Sequence, residues 1–184
     1  MQIKTIAIIG AGPTGRAIAY LSILAGYQTI LEAVSQEFLD DAVTEIRDYL
    51  KNAVATGSIT PQQETQARAN LETSRSVEDV CRAADLLIES AQEELEVKLE
   101  IFTLFDKFAK PAAILATSSQ TIPITDLAEI TFRGENCVAL RFENPLSPSG
   151  RLEIIQTKQT SEETVTASIE VGKRMGRKIL ITRS

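Results

Sequence analysis

Three glycines and one acid carry the first chemical suggestion in this chain. Gly10, Gly12 and Gly15 stand in "GAGPTG" with the spacing G-x-G-x-x-G, after the apolar run "IKTIAII" and before "TGRAIAYLSILAG". Each glycine has a separate physical job. Gly10 permits a sharp exit from a strand, Gly12 keeps side-chain atoms away from a pyrophosphate, and Gly15 brings the following helix close to the strand. With Ala11, Pro13 and Thr14 they form a cradle that aims helix N–H groups at an anion. Glu32 follows Gly10 by 22 positions. There, at the end of the next apolar run, a carboxylate accepts both hydroxyls of an adenosine ribose and repels a 2′-phosphate. No arginine follows it in "EAVSQ", so the pattern predicts NAD rather than NADP. A glycine turn beside a surface glutamate would give the same letters. The combined context favours the cofactor.

The elements that must hold this cradle follow from the hydrophobic pattern. Short apolar runs at 3–10, 28–33, 70–74, 85–91, 112–117, 136–142, 152–157 and 178–182 read as strands. Amphipathic segments separate most of them, at 14–26, 35–57, 76–84, 93–109, 123–130 and 161–176. Ser35 is expected to cap the second helix and Gly57 to stop it. Pro61 opens a further helix, which makes a helical hairpin after the second strand. Strand–helix alternation with nearly unbroken apolar strands predicts a parallel sheet covered on both faces. The expected fold is therefore α/β: one doubly wound, mostly parallel Rossmann-type domain over residues 1–184.

Composition narrows the partners. The chain has 184 residues, 19 basic and 25 acidic, with a net charge of -6. That balance argues against nucleic acid and against an anionic membrane surface. No run of 18 apolar residues is present to span a bilayer. Cys81 and Cys137 lie far apart, and there is no histidine. A zinc site is not expected from that set, and two free buried thiols suit a reducing cytoplasm.

Beyond residue 80 the motifs resemble the NAD-binding domain of the 3-hydroxyacyl-CoA dehydrogenases. The resemblance runs from residue 3 to 184 and rests on "ADLLIESAQEELEVKLEIF", "AILATSSQTIPITDLAEIT", "LRFENP", "RLEIIQTKQTSEET" and "GRKILI". It implies NAD as cofactor and an acyl-CoA or small hydroxy acid as substrate. It also implies that Glu93 and Lys98 border the nicotinamide ribose and the acyl group. Read from the residues alone, Glu93 suits the first turn of a helix, and Lys98 reads equally as a solvated face residue. Ala91 falls at the carboxyl end of a strand, where ligands rest in open sheets.

The departures from the family cluster at its chemistry. Its asparagine–threonine–serine run corresponds here to Ser118, Ser119 and Gln120. Its catalytic histidine corresponds to Arg141, and the carboxylate that partners that histidine is kept as Glu153. Guanidinium cannot accept a proton, so efficient hydroxyacyl-CoA oxidation is not expected. A filled Arg141–Glu153 ion pair and a guanidinium fork for a substrate carboxylate or a polarised carbonyl both remain open, as does a non-catalytic NAD-binding subunit. The sequence stops at "ILITRS", before the family's helical second domain. Apolar surface exposed at the sheet's carboxyl edge, and with it a homodimer, is the resulting expectation.

Overall fold

The computed structural model describes residues 2–184. The chain enters through strand β1 (Thr5–Ile9) and turns directly into helix α1 (Pro13–Leu24). After β2 (Gln28–Glu32) comes the expected hairpin of α2 (Gln36–Ala55) and α3 (Pro61–Ala69). Ser35 caps α2 by accepting from the Phe38 N–H at 3.2 Å. At the other end Gly57 takes a left-handed conformation (φ 71°). The Ser58 N–H reaches the Ala53 carbonyl at 2.8 Å, and the Gly57 N–H reaches Val54 at 2.9 Å. Two orphan carbonyls of the last turn are thereby satisfied. Pro61 opens α3, with Thr60 and Gln63 forming a reciprocal capping box.

Then follow β3 (Leu71–Ser74), α4 (Val77–Ala83), β4 (Leu86–Glu89), α5 (Leu95–Phe108), β5 (Ile114–Thr117) and α6 (Ile124–Ala128). The chain closes with β6 (Cys137–Glu143), β7 (Arg151–Gln156), α7 (Glu162–Arg174) and β8 (Lys178–Arg183). The eight strands form one sheet in the order β3-β2-β1-β4-β5-β6-β7-β8. Every pairing is parallel except β6 with β7. Residues 144–150 join that pair, too few for a crossover helix, so the chain can only fold back.

The strands' period of two feeds two separate cores. Ile6, Ile8, Leu86, Ile88, Leu152 and Ile154 pack under α1 and α7. Ala7, Ile9, Leu87, Leu115, Phe102 and Phe105 pack on the side of α4, α5 and α6. Coverage of both faces, expected from the pattern, fails at the last strand. On the α7 side Gly172 lets the helix approach so closely that a Cβ would lie 2.5 Å from Ile179. On the opposite side Leu180 keeps 45% of its surface exposed. Buried residues still lie on both faces of β7, with Ile155 in one core and Leu152 and Ile154 in the other.

Candidate functional site

The strands β1 and β4 are neighbours, and the chain leaves them toward opposite edges of the sheet. This divergence opens a crevice beyond their carboxyl ends. Gly10 forms the turn there with φ 110°, and a Cβ on it would sit 2.5 Å from the Ser90 carbonyl oxygen. A Cβ on Gly15 would lie 1.9 Å from the Gly10 carbonyl oxygen, so only glycine allows α1 this close. Gly12 differs from both. A Cβ on it would meet nothing within 4 Å, and its backbone is in an ordinary extended conformation. No side chain caps α1. Its first N–H groups therefore face open space, as an anion cradle requires.

The cradle forms one end of a cavity of about 700 Å³. Glu32 stands at its side, and Val34, Phe38, Val77 and Leu104 give it an apolar wall. Glu32 is 4% exposed, and its carboxyl has no hydrogen-bond partner among the described residues. Burial pushes its pKa up to about 7. An unpaired buried carboxyl is costly unless a ligand supplies donors. Ser90 adds a second orphan, since its buried Oγ has no partner among the described residues. The open cradle, the unpaired acid and the unpaired hydroxyl fit a dinucleotide with ribose and phosphate groups. Cys81, buried nearby, has its thiol raised to about 12 by burial and by Glu32.

At the far end the cavity is lined by Ala91, Glu93, Ser118 and Gln120. Glu93 lies outside α5, which begins at Leu95. It is therefore not the first-turn acid that its spacing suggested; Glu96 takes that place. Its carboxylate instead crosses to the loop after β5. There it accepts from Ser119 Oγ, from the N–H of Gln120 at 3.0 Å, and from both the N–H and the hydroxyl of Thr121 at 3.0 and 2.9 Å. Burial alone would raise its pKa; the donors of Ser119 and Thr121 and the ammonium of Lys98 outweigh it and pull the value to about 2.

Lys98 is neither a solvated face residue nor part of the cavity wall. It is 1% exposed, and its Nζ lies 2.8 and 3.0 Å from the two oxygens of Glu89 and 3.2 Å from Glu93. Glu89 is fully buried and also accepts from Thr117 Oγ1 at 2.6 Å and from the Ala91 N–H at 2.6 Å. Sequence reasoning missed Glu89 and Thr117, and gave Ser119 no bonding role. The available signal was an acid inside the otherwise apolar run "LLIE", which must find a buried cation.

Arg141 and Glu153 face each other across the β6–β7 ladder. Arg141 Nε donates to the Ser119 carbonyl at 2.9 Å. Its Nη1 stands 3.9 Å from Glu153, an ion pair beyond hydrogen-bonding distance. The other oxygen of Glu153 accepts from Thr182 Oγ1 at 3.0 Å. Neither residue lines the cavity; Arg141 alone touches, at Ser119, the loop that carries Ser118 and Gln120. Cys137 and Cys81 are both buried and unpaired.

Residues 5–184 match the family model for "3-hydroxyacyl-CoA dehydrogenase, NAD binding domain". The 3-hydroxybutyryl-CoA dehydrogenase of Bradyrhizobium diazoefficiens is 32% identical over 180 residues, covering 98% of this chain and 61% of that protein. A peroxisomal fatty acid beta-oxidation multifunctional protein of Arabidopsis thaliana is 30% identical over 95% of this chain and 24% of its own length. The crystal structure of (S)-3-hydroxybutyryl-CoA dehydrogenase from Ralstonia eutropha superposes with a TM-score of 0.94 at 27% identity, covering all of this chain and 64% of that one. The chain thus spans about three fifths of the first relative's length and a quarter of the second's.

Proposed function

Because the chain belongs to the NAD-binding domain family of the 3-hydroxyacyl-CoA dehydrogenases, we propose that it is an NAD(H)-binding unit whose oxidation of a 3-hydroxyacyl-CoA, or a related hydroxy acid of fatty-acid metabolism, lacks the usual base. One observation supports this: Arg141 pairs with Glu153 across β6 and β7, and the resemblance matches Arg141 to the family's histidine. NAD, when bound, supplies the hydride acceptor. Residues 10–15 would hold its pyrophosphate and Glu32 its adenosine ribose. Ala91, Glu93 and Ser118 would border the nicotinamide end, and Lys98 would hold Glu93 in place from behind the wall.

Arg141 cannot take the hydroxyl proton, because guanidinium remains charged at every working pH. Losing a general base costs roughly 100- to 10,000-fold. Glu153 is the carboxylate left beside the former base position, and a proton would have to pass to it or to water. A second reading has its own support in Arg141 and in the absence of histidine from the sequence: a non-catalytic NAD(H)-binding regulatory or interaction subunit. We treat residues 1–184 as one nucleotide-binding unit, and two buried free thiols suit a reducing, cytoplasmic setting.

Calorimetry with NADH and NADPH, paired with turnover of 3-hydroxybutyryl-CoA, tests the proposal. NADH should bind and NADPH should bind less well, while turnover stays far below that of a histidine-bearing relative. Arg141→His alone should not restore strong activity, since Ser118 and Gln120 differ too. No binding of either cofactor would defeat the nucleotide reading, and brisk turnover by the unaltered chain would defeat the altered-base reading.

A further inference from the structure

The guanidinium of Arg141 is held but not used up. Its Nε is fixed by the Ser119 carbonyl at 2.9 Å, which orients the plane of the group. Among the described residues, its two Nη atoms make no hydrogen bond, and the ion pair to Glu153 is 3.9 Å long. The side chain is 25% exposed. At this exposure the two Nη groups are open to water or to a ligand with oxygens to offer.

The neighbouring charges decide what that acceptor is. Glu93 lines this end of the cavity and Glu89 is buried behind it, but both are already held by Lys98, and Glu93 also by Ser119 and Thr121. Glu153 has one oxygen on Thr182 and the other out of reach of a hydrogen bond. Arg141 is thus the cation at this end whose donors remain unclaimed. A guanidinium only donates, and its two parallel Nη–H bonds match both oxygens of a carboxylate, whereas a thioester carbonyl takes one. Leu180, on the same face of the sheet as Arg141, is 45% exposed.

We propose that Arg141 is a carboxylate-docking residue, and that the ligand beside the cofactor is a small hydroxy or oxo acid in free form rather than its CoA thioester. This rests on the nucleotide-binding reading only for its placement beside NAD. Glu153 opposes the incoming charge and sets the affinity low.

The test is a calorimetric titration of the chain with acetoacetate, methyl acetoacetate and acetoacetyl-CoA, each with and without NADH. Acetoacetate should bind about tenfold or more tightly than its methyl ester, the usual scale for a charged hydrogen-bonded pair. Arg141→Ala should lose that preference, with an unchanged circular dichroism spectrum reporting an intact fold. Arg141→Lys should recover only part of it, since the fork is gone. Glu153→Gln should strengthen acetoacetate binding several-fold, an effect that a merely structural pair would not produce.

Equal binding of acid and ester, an unchanged preference in Arg141→Ala, or tighter binding of the CoA thioester would each overturn the proposal. Arg141-dependent acetoacetate binding without any NADH binding would support the docking residue and defeat the nucleotide reading. NADH binding with indifference to acetoacetate would do the reverse.

Discussion

At the scale of single residues, Gly12 and Gly15 separate ligand binding from folding. They are three positions apart in one motif, yet a Cβ at one meets empty space and at the other overlaps a carbonyl oxygen. Gly12→Ala should therefore fold with a thermal midpoint within about 2 °C of the parent, the change expected of a substitution that touches nothing. Its NADH affinity should fall at least about tenfold, because the methyl occupies phosphate space. Gly15→Ala should be poorly folded at any cofactor concentration. Equal behaviour of the two variants in thermal melts would contradict this division. Glu32 gives a pH signature. Burial lifts its pKa from the ordinary 4.5 to about 7, so the folded chain holds this proton more tightly than the unfolded one. The cost of ionising it in place grows between those values and is complete above about 7. Ribose hydroxyls need the ionised acceptor, so NADH should bind about three- to tenfold more weakly at pH 6 than at pH 8. Glu32→Gln should bind weakly at both, with the slope gone. A slope that survives in Glu32→Gln would assign the titration elsewhere.

At the scale of elements, α5 is anchored to β4 by a cation with no access to water. Lys98, Glu89, Thr117 and the Ala91 N–H form one buried knot, and Glu93 ties the loop after β5 to it. Removing only the ammonium leaves a buried carboxylate without compensation, which costs about 3–5 kcal/mol. Lys98→Met should show this loss in urea unfolding. Lys98→Met with Glu89→Gln together should recover a good part of it. If the double variant is no more stable than the single one, the pair is not the cause. This knot also shows how far the sequence can be read. The caps at Ser35, Gly57 and Pro61 were legible because each rests on its own neighbours in the chain, and the glycine cradle was legible for the same reason. Lys98 was not, because its burial depends on a strand nine residues earlier and a loop twenty residues later. The same limit hid Glu93, which leaves its helix to satisfy loop amides, and Arg141, whose orientation is set by a carbonyl on another strand connection. Local rules find local contacts; the site's polar core is built from distant ones.

At the scale of the whole molecule, the open end of the sheet sets how the chain meets a neighbour. Strand β8 pairs with β7 on one side only, and Leu180 and Ile181 are each 45% exposed on opposite faces of it. An edge strand can recruit a second copy by extending the sheet, or a face can be covered by packing. Lys178 and Arg183 put charge at both ends of β8, and charged side chains on an edge strand disfavour extension of the sheet. Packing over Leu180 meets no such opposition and removes apolar surface from water. We therefore expect a homodimer that covers the open face rather than one that lengthens the sheet. Light scattering over a range of concentrations should approach twice the 20.1 kDa of one chain, and Leu180→Lys should return it to the single-chain mass with its circular dichroism unchanged. Because Arg141 and Glu153 lie on that same face, dimerisation and acetoacetate binding should compete. A mass of one chain at every concentration would remove both the dimer and this competition.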